Sequence, residues 1–347
     1  MPLRLVRGAL AAAIAALLAA CSGGTPAGPT PPGAAPLVNV AVVNGEHVVH
    51  AGNQVFRFGG THSKRAGLRS WVSPAALTQP VLYGSSYDGG FINIYPQKGS
   101  NQAPIGQLST GLVSPQGMHV DGKHHLWVAN TNAFTVVAFK RGASAPFVTL
   151  KDPNYFPLQV AVNSQGTVYA SNAESTTGPP GNVTVWAKGH TKPTATLTYG
   201  NFLIVLGVGV DASDNVFVSY IPTSGPPAMV EFPAGSQTGQ PVSIQDANAG
   251  EMTFDSAGNL VMETLQNTLG VWAPPYDSSP ARTLQAFGNE PTLNKAERKV
   301  WITYANYSTP HILGYNYKTG QLLDTISNGW NNAAIPIGIA LDPPSAP

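Results

Sequence analysis

Cysteine is almost absent: the 347 residues contain one, Cys21, which excludes an internal disulfide and a cysteine-based metal cluster. Charge is scarce too, with Asp, Glu, Lys and Arg making up 10% of the chain and a formal net charge of +1. So weak a field does not steer phosphate backbones, and nucleic acid is not an expected partner. No P-loop, dinucleotide fingerprint, G-x-S-x-G elbow or H-E-x-x-H zinc motif is present. The 37 glycines and 31 prolines are turn formers, suited to short strands and unsuited to long helices.

The apolar run of residues 8–20 follows Arg4 and Arg7. At about 13 residues it falls short of the roughly 20 that span a bilayer, and it reads as a signal peptide. It ends in Leu18-Ala19-Ala20-Cys21, which resembles the bacterial lipobox. That resemblance implies cleavage before Cys21 and lipidation of its thiol, with the membrane as a partner through the anchor. Each buried CH₂ adds roughly 0.8 kcal/mol to membrane affinity, so two or three acyl chains hold firmly. Residues 22–36 carry only Gly, Pro, Ser, Thr and Ala and are expected to form a tether. The expected location is the cell envelope, at the outer membrane in a cell with two membranes.

From residue 81 onward three short patterns recur with a repeat of about 44 residues. One ends in an aromatic: Tyr95, Phe139, Trp186, Phe232, Trp272 and Tyr315. A second precedes it and reads Leu82-Tyr83-Gly84-Ser85, Leu126-Trp127-Val128-Ala129, Val168-Tyr169-Ala170-Ser171, Val216-Phe217-Val218-Ser219, Leu260-Val261-Met262-Glu263 and Val300-Trp301-Ile302-Thr303. A third lies just upstream and ends in Asp121, Asn163, Asp211, Asp255, Asn294 or Asp342, residue types that cap turns through their side chains. A weaker fourth strand shows clearly in two copies, residues 146–150 and 193–197. Four short strands at this period are the mark of propeller blades. The chain enters on the second pattern and leaves on the third, so residues 337–342 are expected to pair with the Leu82 segment and close the ring without an open edge. The expectation is an all-β fold, a six-bladed β-propeller. Its divisions are a signal peptide (1–20), lipidated Cys and linker (21–36), an extension packing on the propeller (37–80) and the propeller itself (81–347). In the extension, residues 38–49 and 55–58 suggest a hairpin, Arg69-Ser70-Trp71 with Pro74 a plug or cap for the ring, and His62, Lys64, Arg65 and Arg69 a solvated loop.

The succession Gln116-Gly117-Met118-His119-Val120-Asp121, Leu126-Trp127-Val128-Ala129 and Val136-Val137-Ala138-Phe139 resembles NHL-type and SMP-30/gluconolactonase-like repeats. The likeness covers about 265 residues and speaks for architecture more than for activity, since such repeats serve binding proteins, lactonases and lyases alike.

If the third pattern is the innermost strand, the residues one and three places before its terminal Asp or Asn are apolar and face the neighbouring sheets. Those two places before (His119, Ala161, Gly209, Thr253, Thr292, Ala340) and four places before (Gly117, Gln159, Gly207, Glu251, Glu290, Gly338) face the channel. Glu251, Glu290, Gln159 and His119 are therefore the candidate site. Oxygen donors of this kind suit Ca²⁺ or another divalent cation, held by Glu251 and Glu290; the other reading is a set of hydrated polar residues lining a wet channel. The lactonase resemblance implies a metal held by Glu, Asn and Asp; Glu251 matches the Glu, and no matching Asn and Asp are found. The lyase resemblance implies a His and a Glu, matched loosely by His119 and Glu251. Two functions follow as expectations. One is a monomeric envelope binding module for a protein, glycan or peptide, without catalysis. The other is a metal-dependent hydrolase or lyase working in the channel.

Overall fold

The computed structural model describes residues 39–344 except 53, 61–66, 287, 306 and 307. Cys21, the signal sequence and His62, Lys64 and Arg65 lie outside the described residues, while Arg69 is exposed. No helix among the described residues is long and apolar enough to cross a membrane.

The described chain is all-β: five four-stranded antiparallel sheets, one five-stranded sheet and one three-stranded sheet. Each of the six larger sheets takes its first three strands from the three recurring patterns. The strands Pro115–Val120, Tyr155–Val162, Phe202–Val210, Ala247–Phe254, Asn289–Leu293 and Ile339–Asp342 stand at one sheet edge. They neighbour one another in cyclic order, the last returning to the first. The fourth strand, legible in two copies of the sequence, exists in all six sheets.

Closure comes from the chain's two ends. Ile339–Asp342 pairs antiparallel with Val81–Ser86, with Ile339 opposite Gly84 and Leu341 opposite Leu82, as the phase of the repeat requires. The terminal Asp or Asn of the other five inner strands folds the following turn. Asp121, for instance, accepts the N–H groups of Lys123 and His125, each at 2.9 Å, and Asp211 and Asp255 repeat the arrangement. Asp342 is used differently. Fully buried, it meets His124 Nδ1 at 2.5 Å and Arg141 at 3.3 Å, both from the next sheet.

Apolar side chains fill the space between consecutive sheets. Tyr83 and Ile94 pack with Met118 and Val128, Phe217 packs with Phe254 and Trp272, and Leu82 and Tyr95 pack with Trp301 and Ile312 across the seam. Tyr83, Tyr169, Phe217 and Trp301, the recurring aromatics of the second pattern, are thus core residues. Burial of each such side chain contributes about 1.5–3 kcal/mol.

Residues 39–59 form the three-stranded sheet, β1 (Asn39–Val43), β2 (Glu46–Ala51) and β3 (Gln54–Gly59). Val49, Phe56 and Phe58 pack on Leu158, Leu206 and Ala249 of the inner strands. The expected plug at Arg69–Trp71 is corrected: Trp71–Val72 is a fifth strand on the outer edge of the first sheet, and Trp71 is 47% exposed. A two-residue strand leaves too short an alternation to be recognised in sequence. The axis is instead met by β3.

Candidate functional site

The inner strands break register with their neighbours in five of the six sheets, at or beside the place four before the terminal Asp or Asn. Such bulges leave main-chain N–H groups without a ladder partner, and a buried unpaired N–H costs about 1–3 kcal/mol. Side-chain oxygens from neighbouring inner strands fill the gap. Gln159 Oε1 accepts the N–H of Val208 at 2.9 Å. Glu290 accepts two, from Met118 at 2.7 Å and from Ile339 at 2.5 Å, and so ties together two other sheets. Glu290 holds a left-handed backbone, φ 48°, an uncommon conformation for a side chain other than Asn or Asp.

Glycines at the same level let the strands approach. A Cβ on Gly338 would stand 2.2 Å from the carbonyl oxygen of Gln116, and one on Gly207 would stand 2.0 Å from that of Gly250. Hydroxyls at the fourth place of the second pattern add stitches between sheets. Ser85 donates to Gln116 O at 2.8 Å, Ser171 to Leu206 O at 3.0 Å, Ser219 to Gly250 O at 2.5 Å and Thr303 to Ile337 O at 2.5 Å. The recurrence of Ser or Thr there was the available sequence signal for this role.

β3 closes one end of the axis. Asn289 binds both main-chain groups of Val55, accepting the N–H at 3.0 Å and donating to the carbonyl at 2.7 Å. Gln116 treats Arg57 alike, at 3.2 and 2.5 Å. The Gln54 side chain accepts the N–H of Glu251 at 3.0 Å. Arg57 is held by Glu46 at 2.6 Å and by Asp88. Gln54, Gln116 and Asn289 were invisible as site residues because their partners are main-chain groups distant in sequence.

Burial raises both axial carboxyls. Glu290 is pushed up to about 8, against the pull of its N–H donors and of Gln159. Glu251 is raised by burial and then by the charge of Glu290. The three donors around Glu290 favour its ionised form, whereas Glu251 Oε2 has no hydrogen-bond partner; Glu251 is therefore the member of the pair that keeps its proton to the higher pH.

The other end, at the Asp and Asn turns, opens into a cavity of about 670 Å³. All six residues two places before the terminal Asp or Asn line it, including His119, Thr253 and Thr292. Gln159 and Glu290 contribute to its lining and Glu251 does not. His119 is half-buried there, and the surrounding protein pushes it down to about 4, so its imidazole is neutral.

The structure thus brings three of the four candidates to one cavity and leaves Glu251 behind its floor. The expected cation site is not assembled. Both oxygens of Glu290 are occupied by N–H donors, and among the described residues no group of three or more His, Cys, Asp or Glu is placed to hold a metal ion. The wet-channel reading is corrected as well: the axis at the level of Glu251 and Glu290 is packed, both residues being at most 2% exposed.

No family model matches the sequence, and no curated protein matches it. Among solved structures, the nidogen/laminin complex contains a chain similar in fold, with a TM-score of 0.60 at 12% identity over 76% of this chain and 98% of that one. The fold is a β-propeller. It is one shared with 1130 solved chains, too many for the likeness to single out an activity.

Proposed function

We propose that the chain is a cell-envelope lipoprotein whose six sheets are the blades of an NHL-like propeller, and that it binds a ligand at the open end of the axis. The observation that carries this is the asymmetry of that axis. One end is sealed by β3 and by the Gln159, Glu251 and Glu290 side chains; the other presents a concave cavity of about 670 Å³, within the size range of small-ligand sites. The axial carboxyls serve the architecture, which favours binding over metal-dependent hydrolysis or lysis. The resemblance of Leu18-Ala19-Ala20-Cys21 to a lipobox supports the anchor.

Metabolic labelling with palmitate tests the anchor: label is expected in the wild type and lost in Cys21→Ala, and equal labelling of both contradicts it. Thermal melting with oligosaccharide and oligopeptide panels tests the mouth. At least one class is expected to raise the melting temperature by mass action, with Thr253→Trp, which fills the bottom of the cavity, abolishing the rise. No rise with any class, or an equal rise in the filled variant, contradicts the proposal.

A further inference from the structure

We infer that the open cavity takes a neutral saccharide, a mono- or disaccharide unit, seated by His119, Thr253 and Thr292 and stacked on Trp127, the cross-strand partner of His119. The inference rests on the binding function proposed above and adds the class of ligand.

The level nearest the floor carries His119, Ala161, Gly209, Thr253, Thr292 and Ala340. None bears a fixed charge, and three bring neutral groups that both donate and accept hydrogen bonds. No hydrogen bond within the described protein occupies the side chains of His119, Thr253 or Thr292. The depressed proton affinity of His119 keeps its ring an uncharged donor and acceptor.

The carboxylates around the cavity are already committed. Glu290 accepts two main-chain N–H groups, Asp121 holds His125 and Trp127, and Asp211 holds Ser213 and Asn215. A cationic ligand finds no unpaired anion at the floor. An anionic one finds only the exposed Lys123 and Lys188 at the outer edge. A wholly apolar ligand would bury His119, Thr253 and Thr292 without partners, at about 1–3 kcal/mol each.

The side wall supplies the complementary surface. Trp127 lines the cavity half-buried, its indole oriented by a 3.0 Å hydrogen bond to Asp121. A sugar has hydroxyls around its edge and C–H groups on its face, which matches a neutral polar floor beside an aromatic ring.

The test uses the mature protein in a sugar-free detergent, with cellobiose, maltose, lactose and diacetylchitobiose as probes, and tetra-alanine and tetraglutamate as controls. Saturation-transfer NMR is expected to show at least one disaccharide bound through its C–H protons. The isosteric Thr253→Val and Thr292→Val are each expected to weaken it at least tenfold by calorimetry while the melting temperature holds. Binding unchanged in both variants overturns the inference. A peptide that binds through Thr253 while no sugar does also overturns it and leaves the proposed binding function standing. Absence of binding by every probe overturns both.

Discussion

At the scale of single residues, Glu251 and Glu290 are the clearest case of positions that sequence located and chemistry reassigned. Alignment of the six inner strands put both at the axis, and the structure keeps them there. Their role was not legible, because it depends on main-chain N–H groups of two other inner strands, those of Met118 and Ile339. The energetic consequence has a sign. Folded, the pair is held protonated to higher pH, Glu290 to about 8, whereas in the unfolded chain both ionise near 4.5. Between those values the folded state binds more protons, so stability falls as pH rises through the window. His119, pushed down from 6.5 to about 4, acts in the opposite sense between those two values, which leaves pH 6.5–8 as the range governed by the carboxyls. Glu251→Gln mimics the protonated acid. Its melting temperature is expected to decline less than that of the wild type across pH 6.5–8, and an unchanged slope contradicts the assignment of the proton.

At the scale of elements, strand types one to three were readable because each combines a β-branched or aromatic run with a fixed turn former. Asp121, Asp211 and Asp255 cap turns as their residue type suggests. The fourth strands were mostly unreadable: they are short, and Gln240–Val242, for example, is largely exposed, so no apolar alternation marks it. The β1–β3 sheet was legible as a hairpin from its apolar runs, but its place was not, since β3 is held by amides 59 and 234 residues away. That hold makes a prediction. Asn289→Ala leaves the N–H and carbonyl of Val55 unpaired in a buried site and is expected to cost about 2–4 kcal/mol. Denaturant titration measures it, and a loss below about 0.5 kcal/mol would show that β3 is not anchored through these bonds.

At the scale of the whole molecule, the phase of the repeat carried more information than any motif. The repeat enters on the second strand type and leaves on the third, and Ile339–Asp342 pairs with Val81–Ser86 to complete the first sheet. Asp342, in line with five turn formers, instead anchors the seam to His124 and Arg141. The apolar clusters on both sides of the first sheet then complete the cycle.

Closure by the chain's final strand is tested most directly by native-state hydrogen exchange read by mass spectrometry over residues 337–342. The Ile337 amide donates to Ser85 O at 2.9 Å and the Ser85 amide to Gly338 O at 2.9 Å. Both segments are therefore expected to be as protected as the central strand His125–Asn130 and to lose protection together as denaturant is added. Exchange of residues 337–342 at the rate of an unstructured tail, while 81–86 stays protected, would contradict the closed ring.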